Sequence, residues 1–110
     1  MKCFLFAMYQ EYSKDGELLL EGQYNDDNKK TGIWKEYYKS GKILAEESYK
    51  SGELHGIYKS FHPNGNLWSY GNYENGYKEG KFEIFSTQGI LIIIQYYNKD
   101  KLVGQEKFNK

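Results

Sequence analysis

The sequence predicts an all-β fold, an antiparallel meander of repeated β-hairpins in about four 24-residue units. Gly32, Gly56, Gly80 and Gly104 recur every 24 residues, and Gly41, Gly65 and Gly89 keep the same period. Tyr24, Tyr49, Tyr73 and Tyr97 form a third column, so aromatic identity repeats together with the glycines. A glycine or turn pair also interrupts the chain about every eight to twelve residues, which leaves no stretch for a helical 3.6-residue apolar stripe.

The elements follow in order. The opening Met1 to Met8 is apolar for only about six residues, short of the 7–15 of a secretory h-region. Ala7, Met8 and Tyr9 instead align with Gly32, Ile33 and Trp34, so this stretch reads as a first strand. Asp15-Gly16 supplies a turn, because tight hairpins need positive φ where a Cβ would clash. The first copy is offset by 25 rather than 24, and the extra residue falls in Asn25-Asp26-Asp27-Asn28-Lys29-Lys30, which reads as a loop. In the second copy Ile33 to Tyr38 is a leading strand, Lys39 to Lys42 the turn, and Ile43 to Tyr49 the return strand. Ser51-Gly52, Asn64-Gly65 and Asn75-Gly76 repeat the turn chemistry, whereas Asp100 stands where the next turn glycine is due. The units run 7–31, 32–55, 56–79 and 80–103, with a cap at 104–110, all in one domain. Eight to nine strands at about 4.8 Å spacing predict a ribbon roughly 40 Å long.

Composition narrows the function. Fifteen basic residues balance fifteen acidic ones, so no net field exists to hold nucleic acid or an anionic membrane. The lone Cys3 allows no internal disulfide and reads as a small strand residue. With no convincing leader or spanning segment, the expected location is the cytoplasm.

Side-chain alternation sorts the columns by face. Leu18, Ile43, Leu67 and Leu91 share parity with the tyrosine column and mark the core face. Between them, Gly22, Glu47, Gly71 and Gln95 leave room for a tyrosine ring from a neighbouring strand. On the leading strand Tyr9, Trp34, Tyr58 and Phe82 lie three positions before Tyr12, Tyr37, Phe61 and Phe85. Odd spacing places these two columns on opposite faces unless a bulge intervenes, and the sequence leaves both open.

The other return-strand parity changes character along the chain. Leu19, Leu44, Trp68 and Ile92 are apolar throughout, while the next column reads Glu21, Glu46, Tyr70 and Ile94. Trp68, Tyr70, Ile92 and Ile94, flanked by Leu44, are therefore expected to form one contiguous apolar patch for a protein partner. Second-face packing in the C-terminal units is the competing reading.

Chemistry beyond binding finds little footing. His55 and His62 do not recur in their columns, and with Cys3 they make no ligand spacing, so no metal is expected. Asn25 to Asn28 lacks the alternation and closing glutamate of a calcium loop. No nucleophile and base are paired and no glycine loop opens a helix, so no catalytic residue or cofactor is assigned.

The series Gly-x-aromatic-x-x-aromatic, then a turn glycine and a return strand ending in tyrosine, resembles the bacterial branch of the MORN repeat family. Tyr37 to Leu44 and Tyr49 to Gly56 are similar to the form found in YwqK-type antitoxins, and the resemblance covers about Tyr9 to Gly104. Ile90 to Ile94 departs from it in being more apolar, and Asp100 in lacking the glycine. The resemblance implies a single-layer sheet that binds a partner protein. For that branch it implies an antitoxin or immunity protein neutralising a cognate bacterial toxin. A structural or membrane-peripheral scaffold is the alternative function, and the neutral charge argues against its membrane version because aromatics without basic help hold lipid weakly.

Overall fold

The structure, a computed structural model, describes residues 7–108. Cys3 lies outside them. The hairpins close where the glycines place them, giving β1 (Ala7–Tyr12), β2 (Leu18–Tyr24), β3 (Lys30–Tyr37), β4 (Ile43–Lys50), β5 (Glu53–Phe61), β6 (Leu67–Glu74), β7 (Tyr77–Lys78), β8 (Gly80–Phe85), β9 (Leu91–Asn98) and β10 (Lys101–Lys107). No helix occurs among the described residues. All strands join one antiparallel sheet in chain order, with the short β7 pairing to β6 just before β8. The ten strands exceed the expected eight to nine, since Glu79 splits one leading strand into β7 and β8. The longest dimension is 53 Å rather than about 40 Å, and the radius of gyration is 16.1 Å, against about 13 Å for a compact domain of this length. The described residues form a ribbon of one sheet with no covering layer.

The turns between units explain how the chain manages without a glycine at position 100. Ser51 and Gly52 have φ of 49° and 88°, and Asn75 and Gly76 have 51° and 88°. Lys99 and Asp100 adopt the same shape at 48° and 72°. Left-handed backbone costs an ordinary L-residue about 1–2 kcal/mol. The turn is fastened to the unit before it: the Asp100 amide donates to the Lys78 carbonyl at 2.8 Å, and the Lys78 amide donates to Asp100 Oδ1 at 3.2 Å. Gly52 and Gly76 donate in the same way to the carbonyls of Lys30 and Leu54.

Every unit carries a β-bulge at one place. Register slips between Glu11 and Tyr12, Glu36 and Tyr37, Ser60 and Phe61, and Ile84 and Phe85. The residues left without a cross-strand partner are Leu19, Leu44, Trp68 and Ile92, the apolar column seen in the sequence. Tyr12 and Tyr37 still stand opposite Tyr9 and Trp34. Tyr37 donates its hydroxyl proton to the Glu21 carboxylate, and Tyr12 to Gln10 Oε1, both on the charged face.

The other face is aromatic and carries the core. Trp34, Ala45 and Phe82 are buried, whereas the return-strand tyrosines are only half-buried. The space at Gly22 and Gly71 is filled by Trp34 and Phe82, where a Cβ would overlap the rings. The sequence predicts a tyrosine ring at this place, and the leading-strand rings of Trp34 and Phe82 take it instead. The tyrosines instead brace the buried ring edge-on: Trp34 lies 5.1 Å from Tyr24 and 6.3 Å from Tyr49, and Phe82 lies 5.7 Å from Tyr73 and 5.4 Å from Tyr97. Lys30 Nζ sits 4.7 Å from the Trp34 ring and 4.9 Å from Tyr49, while Lys78 Nζ sits 5.4 Å from Phe82 and 4.8 Å from Tyr97. The intervening unit has Leu54 at that place, Glu47 where the glycine was, and the half-buried Tyr58. Packing therefore alternates from one unit to the next.

Candidate functional site

An open groove of about 440 Å³ lies over the aromatic face, lined by residues of the second, third and fourth units. Tyr58, Tyr73 and Phe82 line it together with Leu44 and Trp68. Its floor is small, because Ser60 and Ser69 are cross-strand neighbours whose hydroxyls bond at 2.6 Å. Trp68 is 46% exposed, although its ring stacks on His62 at 4.5 Å and 13°. His62 itself is buried and its Nε2 lies 2.9 Å from the Phe85 carbonyl, which can only accept, so that nitrogen carries the proton. Tyr38, one unit earlier, donates its hydroxyl to the Phe61 carbonyl at 2.6 Å. His62 thus fills a shared role in linking units, one hidden in the sequence because Tyr and His differ in name while both present a donor.

The expected patch is divided between the two faces. Leu44 and Trp68 line the groove. Tyr70 and Ile94 lie on the opposite face, in a row that crosses the sheet as Gln10, Glu21, Lys35, Glu46, Lys59, Tyr70, Glu83, Ile94 and Glu106. Consecutive return strands are never adjacent in a meander, so Glu83 of β8 separates Tyr70 from Ile94. Lys59 Nζ lies 5.9 Å from the Tyr70 ring. Ile92, the bulge residue of β9, accepts the Phe108 amide on its carbonyl. The contiguous apolar surface read from the sequence does not form. On that charged face the sequence reading passed over Met8, Ile33 and Ile57, a period-matched column 69%, 55% and 44% exposed.

A carboxylate pair also escaped it. Trp34 and Glu47 are cross-strand neighbours, as are Glu47 and Tyr58, and Glu36 stands one row away opposite Ala45. Burial pushes the Glu47 carboxyl up to about 7, the charge and hydrogen bond of Glu36 add to this, and Lys30 opposes it. Strand register brings the two glutamates together, so a single-strand pattern gives no sign of them. Among the described residues no three metal-ligating side chains converge.

An open antiparallel sheet built from periodic hairpins, with an aromatic groove and, among the described residues, no second layer, defines a repeat protein. Two of its units match a known family: the sequence profile of the MORN repeat variant covers residues 30–51 and 54–75. The chain is similar to that family across its second and third units. No curated protein matches the chain. Among the described residues no helix is long and apolar enough to cross a membrane.

Proposed function

We propose that this chain is a non-catalytic protein-binding repeat module, and in its finer form a cytoplasmic antitoxin or immunity protein that neutralises a cognate bacterial toxin by direct contact. The observation that carries the reading is the aromatic groove: Tyr58, Trp68, Tyr73 and Phe82 border an open trough on a sheet that, among the described residues, has no covering layer. Trp and Tyr are the residues most often found at the energetic centre of protein interfaces. The resemblance of Tyr37 to Leu44 and Tyr49 to Gly56 to YwqK-type antitoxins supports the toxin as the partner class.

The test is rescue of cells expressing the product of a neighbouring toxin-like reading frame, together with binding of the two purified proteins. Trp68→Ala and Leu44→Ala should weaken both while keeping a cooperative thermal transition. Tyr70→Ala, on the opposite face, should not. Rescue that is indifferent to Trp68 and lost with Tyr70 would move the interface to the charged face.

A further inference from the structure

The two edges of the sheet differ in a way that implies an occupant for one of them. β10 has Lys101, Glu106 and Lys107 among its seven residues, and Glu106 opposes Ile94. Charged residues, lysine above all, are how sheets keep an exposed edge from pairing. β1 reads Ala-Met-Tyr-Gln-Glu-Tyr, with no lysine and no proline. Its Met8 is 69% and its Tyr12 53% exposed. Tyr9 belongs to the core column of Trp34 and Phe82, yet among the described residues its ring packs on the aromatic rings of Tyr24 and Trp34 alone, both on the inner side of β1.

We propose that two copies of this chain join through antiparallel pairing of β1 with β1, on a twofold axis at Gln10, into one continuous sheet. Residues opposite one another in an antiparallel pair share a face, so the axis must pass through a residue rather than between two. With Gln10 on the axis, Tyr9 meets Glu11 of the second copy on the aromatic face. Met8 meets Tyr12 of the second copy on the charged face. Within one copy the Tyr9 hydroxyl already donates to Glu11 Oε1 at 3.0 Å and the Tyr12 hydroxyl to Gln10 Oε1 at 3.1 Å. The twofold brings a second copy of each of these donors and acceptors to the opposite strand, and it stacks the exposed Met8 on an exposed aromatic ring, a favourable sulfur contact. Such self-complementarity is what an isologous interface demands. A strand of unrelated sequence would not supply it.

Sedimentation should give twice the 13.0 kDa chain mass for the native sequence. Met8→Lys combined with Tyr12→Lys should return the monomer with an unchanged circular dichroism spectrum, and Val103→Lys on β10 should leave the dimer intact. Register is tested independently in a Cys3→Ser background. Only a residue on the axis faces its own copy at about 4.5–5.5 Å between Cα atoms, within disulfide range, so Gln10→Cys should cross-link on oxidation. Val103→Cys should not. A native chain that sediments at the monomer mass, a dimer lost with Val103→Lys but kept with the β1 lysines, or no cross-link at Gln10→Cys would each overturn the proposal.

Discussion

The indole of Trp34 occupies the space over Gly22 on the neighbouring strand, and its Nε1–H donates to the Gln23 carbonyl at 3.1 Å. Phe82 stands in the same relation to Gly71. Gly22→Ala and Gly71→Ala should therefore each destabilise by about 2–3 kcal/mol, at the upper end for overpacking a filled site. Gly41→Ala has open space around it and only its φ of 94° to contend with, so about 1 kcal/mol is expected. Urea melts of the three variants make the comparison, and equal losses at all three would contradict the packing argument.

The two tryptophans should part company. Trp34 is 1% exposed, and Trp34→Ala should cost about 3–5 kcal/mol or abolish the cooperative transition. Trp68, 46% exposed, should lose about 1 kcal/mol, mainly its stacking on His62. Denaturant midpoints and far-ultraviolet circular dichroism check both.

Stability should depend on pH through Glu47. Its folded value of about 7 lies above the usual 4.5, so the native state holds the proton more tightly. That contribution is fully present below about pH 4.5 and is lost as pH rises through about 7. Because the side chain is partly exposed, the change is set at about 1–2 kcal/mol rather than the full shift. Glu47→Gln should flatten the profile over this window and stabilise the protein above it. Thermal melts from pH 4 to 8 measure this, and a native profile already flat there would rule it out.

On the charged face, Tyr70→Glu and Ile94→Glu should behave differently. Position 70 lies between Lys59 and Glu83, so a glutamate gains one opposite charge and one like charge. Position 94 lies between Glu83 and Glu106, so a glutamate meets two like charges. Cross-strand pairs are worth about 0.2–1 kcal/mol each. Tyr70→Glu should be near neutral, and Ile94→Glu should lose about 1 kcal/mol, a difference that chemical denaturation resolves and that high salt reduces.

The turns were legible in the sequence because Gly16, Gly41, Gly52, Gly65, Gly76 and Gly89 all need positive φ, which few other residues tolerate. The bulges were not, since Leu19, Leu44, Trp68 and Ile92 look like ordinary strand residues until the register is known. The contiguous patch fails for a second reason, since aligned columns set Tyr70 beside Ile94 while in the sheet β8 runs between them with Glu83. Trp68 at an open surface was legible, but its groove was not, because Ser60 and Ser69 make a floor only across two strands. Lys30 and Lys78 carried a readable signal at a spacing of 48, concealed by Leu54 at the 24-residue step.

That alternation sets which pieces of the chain can be exchanged. Excising residues 56–79 would bring β8 beside β4 and lower the Phe82 ring onto Glu47, pressing a carboxylate beneath an aromatic plane. Excising 32–79 would bring β8 beside β2 and set the same ring over Gly22, reproducing the fit that Trp34 now makes. For anyone lengthening or shortening this ribbon, the interchangeable part is a pair of hairpins, and odd numbers of them leave a mismatched seam.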